Sequence, residues 1–137
     1  VTGVTWPQAN DYTAWVGGRL PTEAEWEKAC RGTEGGIYPW GDAAPAEGLA
    51  NFFPNTGGTM AVGSYSPVGD SPYGAADMAG NVWEWTTDAQ GSQRRTGGGS
   101  RWYGPVQMKS DVQAFKPADF YAVYIGFRCA FDLPSPT

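Results

Sequence analysis

The residues able to do chemistry in this 137-residue chain are few, and one type is missing. The sequence contains no histidine and two cysteines, Cys30 and Cys129. Without histidine, the chain cannot supply a histidine-containing catalytic triad, a histidine–metal site or an imidazole acid–base group. Two cysteines are too few for a four-thiolate zinc site or an iron–sulfur cluster. Any chemistry from this chain must therefore use other residue types.

Charge and composition narrow the class of protein further. The chain has 14 acidic and 9 basic residues, and this formal net charge of −5 argues against a general nucleic-acid binder. Residues 1–90 carry a net −8 and residues 91–137 a net +3. The C-terminal part is a candidate binding face, although ordinary surface variation gives the same pattern. No apolar run approaches the ~18 residues of a membrane span.

The elements that must position any site are short. With 15% aromatic residues, 20 glycines and 11 prolines, the chain is typical of a compact domain with much turn and loop. Capping boxes at Thr5 and Gln8 and at Thr22 and Glu25 predict two short helices. The second helix is expected to bury one stripe of side chains, Trp26, Ala29 and Cys30.

Strand signals are weaker than the helix signals. Alternation predicts short strands at Met60–Tyr65 and Asn81–Thr86, and a last strand at Ala122–Phe131. In the second of these, Glu84 is expected to face one side of the strand, and Trp83 and Trp85 the other side. Residues 89–101 are rich in glycine, serine and arginine, so composition predicts a flexible loop there.

Six sequence blocks carry a family resemblance. They are Arg19–Glu27 (RLPTEAEWE), Tyr38–Gly41 (YPWG), Ala50–Phe52 (ANF), Val62–Tyr65 (VGSY), Asp77–Trp85 (DMAGNVWEW) and Ile125–Arg128 (IGFR). In order and spacing, this series resembles the formylglycine-generating enzyme (sulfatase-modifying factor) domain family. The resemblance implies an α+β fold with high loop content, the family's variant of the C-type lectin fold, with two short helices and a small antiparallel sheet. We expect a single domain over residues 1–137, a truncated or minimal version of that fold.

The resemblance also locates the family's catalytic cysteines. Enzymes of this family oxidise a sulfatase cysteine to formylglycine with oxygen and copper, and their cysteine pair follows an Arg-Gly-Gly-Ser stretch. The matching stretch is Gly97–Ser100, which places the two positions near Tyr103 and Met108. Met108 alone lacks a thiolate pair for copper. We therefore expect no catalytic residue and no copper. Iron-dependent sulfoxide synthases, a related branch, need histidine ligands that are absent, and we also expect no zinc.

The two cysteines have another role in the family. Cys30 and Cys129 match positions that form a disulfide in secreted members, which predicts an extracytoplasmic or cell-surface protein. The alternative is a pair of free thiols in a reducing compartment, in which case the protein is cytoplasmic.

Calcium is the cofactor that the resemblance implies. Ca²⁺ takes six to eight hard oxygen ligands, and the family's site would use the side chains of Asp77 and Glu84 with the carbonyls of Gly80 and Val82. The alternative is that Glu84 pairs with an arginine, Arg128 or Arg19. A weaker second calcium site would use Asn51 and the Phe52 carbonyl, but it lacks a nearby downstream acidic residue.

Aromatic residues in the C-terminal part are the candidate binding surface. Trp26, Trp40, Trp83 and Trp85 lie inside fold motifs and are predicted to fill the core. In contrast, residues 101–124 form the substrate groove region in the related enzymes. Aromatic and arginine side chains on exposed loops are typical of binding hot spots, although about half of these aromatics could simply fill the core. The predicted ligand-binding residues are Arg101, Trp102, Tyr103, Phe120, Tyr121 and Tyr124.

Three functions are compatible with the sequence. We favour a non-catalytic module that binds a protein or a small ligand, and its sharper form is a variable protein of a diversity-generating retroelement, because such proteins vary just before an Ile-Gly-Phe-Arg block. The second is an enzyme with altered chemistry that uses Ser100, Tyr103, Lys109 or Asp119. The third is a structural or assembly subunit.

Overall fold

Two short helices lie against a small four-stranded sheet in the computed structural model, which describes residues 1–53 and 57–136. The elements in chain order are α1 (Trp6–Trp15), α2 (Glu23–Arg31), β1 (Trp83–Gln90), β2 (Gln93–Gly97), a 3₁₀ turn (Pro105–Met108), β3 (Gln113–Pro117) and β4 (Ile125–Gly126). The strand order across the sheet is β3-β2-β1-β4. Within the described residues, no helix is long and apolar enough to cross a membrane.

Both helices begin at the predicted capping boxes. The Thr5 hydroxyl accepts from the Gln8 amide at 3.3 Å, and the Thr5 amide donates back to the Gln8 side chain at 3.0 Å. Thr22 and Glu25 make the same reciprocal pair at 3.1 and 3.0 Å. Each box satisfies two backbone donors that the first helical turn leaves unpaired. The helix predictions are therefore confirmed.

The sheet is mixed. β1 pairs with β2 and β2 pairs with β3 in antiparallel register, whereas β4 runs parallel to β1. Successive side chains of β1 point to opposite faces. Trp83 and Trp85 therefore pack with Ala9 of α1, while Glu84 on the other face bonds Trp26 of α2. The predicted fold class is confirmed, with one parallel pair in place of a wholly antiparallel sheet.

The stretch 89–101 is ordered into a hairpin, so the prediction of a flexible loop was wrong. Its arginines are anchored on aromatic rings, which composition alone does not reveal. The Arg94 guanidinium lies 3.9 Å from the Trp6 ring centroid, and that of Arg95 lies 4.9 Å from the Phe115 ring centroid. Such cation–π contacts hold long side chains that would otherwise be mobile.

The strand predicted at Met60–Tyr65 was wrong, and the last predicted strand was too long. Residues 60–65 form turns closed by i to i+3 backbone hydrogen bonds instead of a strand. Of Ala122–Phe131, only Ile125–Gly126 pairs along β1. The chain then turns away, and Ala130 pairs with Arg19 before α2.

The core consists of three clusters built largely on the predicted tryptophans. Trp83 and Trp85 centre the first cluster, and Trp26 lies in the second with Cys30 and Met78. Trp40 is only partly buried, stacked on Tyr38 against the third cluster, with ring centroids 5.3 Å apart. The prediction that these four tryptophans fill the core is confirmed for three and partly for Trp40.

Candidate ligand-binding site

The two positions that match the catalytic cysteines are both packed into the fold. Met108 closes the 3₁₀ turn and is fully buried with Tyr38 and Ala79 in the third core cluster. Tyr103 lies against Trp83 with its ring tilted edge to face, the centroids 5.4 Å apart. The Tyr103 amide also donates to the Ser100 carbonyl, which holds the segment in a tight turn. Neither side chain has a free thiol-like group, and each is held by apolar contacts.

The buried Trp83 side chain lies beneath several of the candidate residues. We call Trp83, Tyr103, Lys116 and Tyr124 the Trp83 platform. The Lys116 ammonium lies 5.2 Å from the Trp83 ring centroid, and the Tyr124 carbonyl accepts from the Trp83 amide at 2.8 Å. Trp83 lies on β1 and Lys116 on β3, whereas Tyr103 precedes the 3₁₀ turn and Tyr124 directly precedes β4. The sequence analysis assigned Trp83 to the core and did not select Lys116.

Lys116 is half-buried, and desolvation by that burial lowers the pKa of its ammonium group. Burial favours the neutral amine because the charged form loses its hydration. Lys116 and Ala114 alternate along β3 and so share a face. Ala114 packs on the first core cluster, which contains Trp83. The alternation of side chains along β3 was therefore the signal that could have selected Lys116 from the sequence.

The other predicted binding residues surround the platform at greater exposure. Trp102 is 54% exposed and its indole is covered by the Arg101 guanidinium at 4.2 Å. Phe120 and Tyr124 lie with ring centroids 6.5 Å apart, and Tyr121 is 65% exposed. The structure thus brings Tyr103 and Tyr124 together on Trp83 and leaves Trp102 and Tyr121 open to solvent.

Phe53 adds an exposed ring that the sequence analysis missed. Its amide donates to the Tyr103 carbonyl at 3.2 Å, and its side chain is exposed. This backbone bond brings a residue of the chain's middle region to the surface formed by residues 101–124. The sequence spacing between the two segments gives no sign of that contact.

Three of the four predicted calcium ligands line one cavity of about 410 Å³. Asp77, Val82 and Glu84 line it, whereas Gly80 is buried and pairs with Asn51. The Asp77 carboxylate accepts one hydrogen bond, from the Gly63 amide at 2.8 Å. An all-oxygen donor set suits Ca²⁺, so the residue types fit. Calcium binding stays a prediction.

Arg128 pairs with Glu84, as in the alternative to a calcium site. Its Nε and Nη2 donate to the two Glu84 carboxylate oxygens at 2.6 and 2.8 Å. The Trp26 indole donates to the same carboxylate at 2.9 Å. Burial by itself would lower the Arg128 pKa, but the charge and hydrogen bond of Glu84, together with the charge of Asp77, act in the opposite direction and the pKa is raised. The guanidinium places a positive charge where the calcium site would need Glu84.

Arg19, the other arginine considered for Glu84, is engaged elsewhere. Its guanidinium bonds Glu25 at 2.6 Å and Asp132 at 2.8 Å. These contacts join the start of α2 to the end of the domain. Among the described residues, Glu84 therefore forms its ion pair with Arg128.

The residues of the weaker calcium site make hydrogen bonds and core contacts within the fold. The buried Asn51 side chain donates to the Gly58 carbonyl at 2.8 Å and to the Asn81 side chain at 3.2 Å. Phe52 packs partly buried against the third core cluster. Residues 54–56, which follow directly, lie outside the described residues. The second calcium site stays a prediction.

Cys30 and Cys129 are free thiols in the structure, and the disulfide stays a prediction. The buried Cys30 thiol donates to the Ser110 hydroxyl at 3.3 Å, and desolvation raises its pKa to about 12. Burial also raises the pKa of Cys129, which is partly exposed.

The residues proposed for altered chemistry are dispersed. Ser100 is fully buried and its hydroxyl accepts from the Trp102 amide. Within the described chain, no hydrogen bond joins the side chains of Ser100, Tyr103, Lys109 and Asp119. No group of three or more Cys, Asp or Glu residues that could hold a metal is found among the residues described.

Comparison with known proteins agrees with this architecture. Residues 1–133 match the family described as sulfatase-modifying factor enzyme 1-like domain. The chain is 50% identical over 91 residues to the hercynine oxygenase of Mycolicibacterium thermoresistibile, covering 64% of this chain and 20% of that enzyme. It is 35% identical over 166 aligned positions to the formylglycine-generating enzyme of Mus musculus, covering 96% of this chain and 44% of the enzyme.

Solved structures share the same fold. PvdO from Pseudomonas aeruginosa superimposes with a TM-score of 0.84 at 24% identity, over 97% of this chain and 62% of PvdO. Treponema denticola variable protein 1 superimposes with a TM-score of 0.64 at 26% identity, over 80% of this chain and 45% of that protein. The chain spans less than half the length of both curated relatives. It belongs to the sulfatase-modifying factor enzyme 1-like domain family, as its sequence blocks predicted.

Proposed function

We propose that this domain is a non-catalytic binding module whose ligand surface is formed by residues 101–124. One observation carries the proposal. The positions that match the catalytic cysteine pair hold Tyr103 and Met108. The Tyr103 ring packs against Trp83, and the Met108 side chain packs in the third core cluster. Opening either position for redox chemistry would require a different residue and would remove apolar contacts that the core uses.

The composition of this surface supports a binding role. Trp102 with its stacked Arg101, Tyr121 and the Phe120–Tyr124 pair present large, rigid side chains. Aromatic and arginine side chains contribute most of the energy in many interfaces because they bury a large area at a small entropic cost. The surface therefore offers anchors without a catalytic centre.

The finer form of the proposal is a variable protein. The segment 118–124 is anchored through its backbone: the carbonyls of Ala118, Ala122 and Tyr124 accept from the amides of Trp6, Gly3 and Trp83 at 2.8 to 3.0 Å. The intervening side chains, Asp119 to Tyr121 and Val123, are exposed. Side chains held in this way can change without loss of the anchoring bonds. The similarity to Treponema denticola variable protein 1 supports this form.

Substitution at these positions tests the variable form. We expect Tyr121→Ala and Val123→Ala to change the free energy of unfolding by less than about 0.5 kcal/mol, as is usual for exposed positions. Tyr124→Ala, the matched control in the same segment, should cost about 2 kcal/mol or more because its ring packs on the first core cluster. Equal losses at Tyr121 and Tyr124 would contradict a surface that tolerates variation.

Two measurements test the binding module itself. Incubation with a sulfatase-derived cysteine peptide, oxygen and copper should give no formylglycine, with the enzyme from Mus musculus as positive control. Turnover would refute the non-catalytic assignment. A fragment screen of neutral, anionic and cationic aromatic compounds, followed by backbone amide NMR, should shift resonances of residues 101–124. Light scattering of the same sample identifies the alternative, a self-assembling structural subunit.

A further inference from the structure

Lys116 brings a positive charge into the aromatic surface with no acidic side chain beside it. In the described part of the chain, Arg19, Arg31, Arg95 and Arg128 each form an ion pair with a carboxylate. Lys116 forms none within 4 Å, and its half-buried ammonium lies over the Trp83 ring instead. A cation that has lost part of its hydration without gaining a counter-ion is a ready binding point for an anion.

Trp83 provides a second unused donor at the same place. The indole is buried, and its Nε1–H has no acceptor among the described residues. Most buried indole N–H groups in proteins are hydrogen-bonded, because an unpaired buried donor costs free energy. The indole ring that Lys116 covers therefore also holds a donor without an acceptor among the described residues.

We propose that the Trp83 platform binds a carboxylate that is attached to a planar apolar group. This inference rests on the proposed binding function and names the class of its ligand. The carboxylate would meet the Lys116 ammonium, and the planar group would lie among the rings of Tyr103, Tyr124 and Phe120. A cationic ligand is disfavoured because Lys116 would repel it. A neutral ring would gain the aromatic contacts but would leave Lys116 without a partner.

The test uses two probes that match in size and ring but differ in charge, phenylacetate and phenylacetamide. Titration calorimetry should show that the wild-type chain binds phenylacetate at least about tenfold more tightly than the amide. Lys116→Gln should abolish this preference, and Lys116→Arg should retain most of it. Lys28→Gln removes the same charge from the exposed side of α2, so it should leave both affinities unchanged. NMR spectra of each variant verify that it is folded.

The Trp83 indole gives an independent readout. Its side-chain ¹H–¹⁵N resonance, assigned by its disappearance in Trp83→Phe, should shift with phenylacetate and much less with phenylacetamide. The chemistry could come from a free acid or from a peptide, so the dipeptide N-acetyl-Phe-Glu-amide is titrated in parallel. Tighter binding of the dipeptide identifies a peptide source, and tighter binding of phenylacetate identifies a small acid.

Two outcomes would overturn the inference. One is equal affinity of the wild type for phenylacetate and phenylacetamide, and the other is unchanged phenylacetate affinity in Lys116→Gln. If the neutral amide still shifts residues 101–124, the binding module stands and only the carboxylate assignment fails. If no aromatic fragment of any charge shifts those residues, the proposed function itself fails.

Discussion

Replacing Glu84 with glutamine tests the ion pair at the centre of the fold. Glu84 is 6% exposed, and its two oxygens accept from Arg128 Nε, Arg128 Nη2 and the Trp26 indole. Glu84→Gln keeps the size but removes the negative charge, so the partly buried guanidinium loses its counter-ion. The amide NH₂ also offers a donor to groups that are themselves donors.

The expected loss is large because the charge that remains is poorly solvated. Breaking one side of a buried ion pair costs about 3–5 kcal/mol, against a total stability of about 5–15 kcal/mol for a domain. For a chain of this size, that loss should lower the melting temperature by about 10–17 °C. Urea unfolding, followed by tryptophan fluorescence and far-ultraviolet circular dichroism in EDTA, measures the loss without a contribution from calcium.

The matched control is Glu27→Gln in α2. Glu27 pairs with Arg31 at 2.8 Å, but its side chain is 30% exposed, so the expected loss is below about 1 kcal/mol. The double variant Glu84→Leu and Arg128→Met removes both charges and should be more stable than Glu84→Gln. If Glu84→Gln cost no more than Glu27→Gln, the argument that burial makes this pair critical would be refuted.

Three further predictions follow from the same structure. Calcium should raise the melting temperature more than magnesium does, and Asp77→Asn, which tolerates the positive φ of 55° there, should reduce the effect; an equal rise in that variant would exclude this site. At pH 8 a thiol reagent should modify Cys129 before Cys30, whose pKa is raised to about 12 by desolvation, and absence of both thiols after unfolding would show a disulfide instead. The Arg19 hydrogen bond lowers the Glu25 pKa to about 2, so this contribution is complete above about pH 4.5 and is lost as the pH falls through 2; at 42% exposure of Glu25 it is below about 1 kcal/mol, and a difference between wild type and Arg19→Gln that stays undiminished from pH 5 to pH 2 would contradict it.

Local signals explain which parts of the fold were predictable from the sequence. The capping boxes at Thr5 and Thr22 involve residues three positions apart, so the sequence contains the whole interaction. The strand β2 was missed because what orders it is distant in sequence. Arg94 depends on Trp6, 88 positions away, and composition alone describes only the stretch itself.

The same distinction applies to the candidate site. The sequence analysis identified Tyr103 and Met108 through a motif, but it could not show that one lies on Trp83 and the other in the core. It left Glu84 with two alternatives because the Arg128 partner is 44 positions away. Lys116 was passed over because its significance depends on the pairing of β3 with β2, which turns a strand residue into a neighbour of β1.

In the proposed variable form, the way residues 118–124 are held would let one domain combine a fixed core with a changeable surface. A side chain that packs against the core cannot change freely, and the partly buried Tyr124 is such a residue. Between the anchoring carbonyls of Ala118 and Ala122, however, the hydrogen bonds to the rest of the domain depend on the backbone conformation and not on the side chains. We therefore expect Asp119 and Tyr121 to contribute little to the stability of the domain, because their side chains face solvent. Lys116 lies just before this segment on β3, where the sheet fixes its position. A fixed charge beside exposed, replaceable rings would keep the preference for an anion constant while the shape of the ligand it accepts could differ.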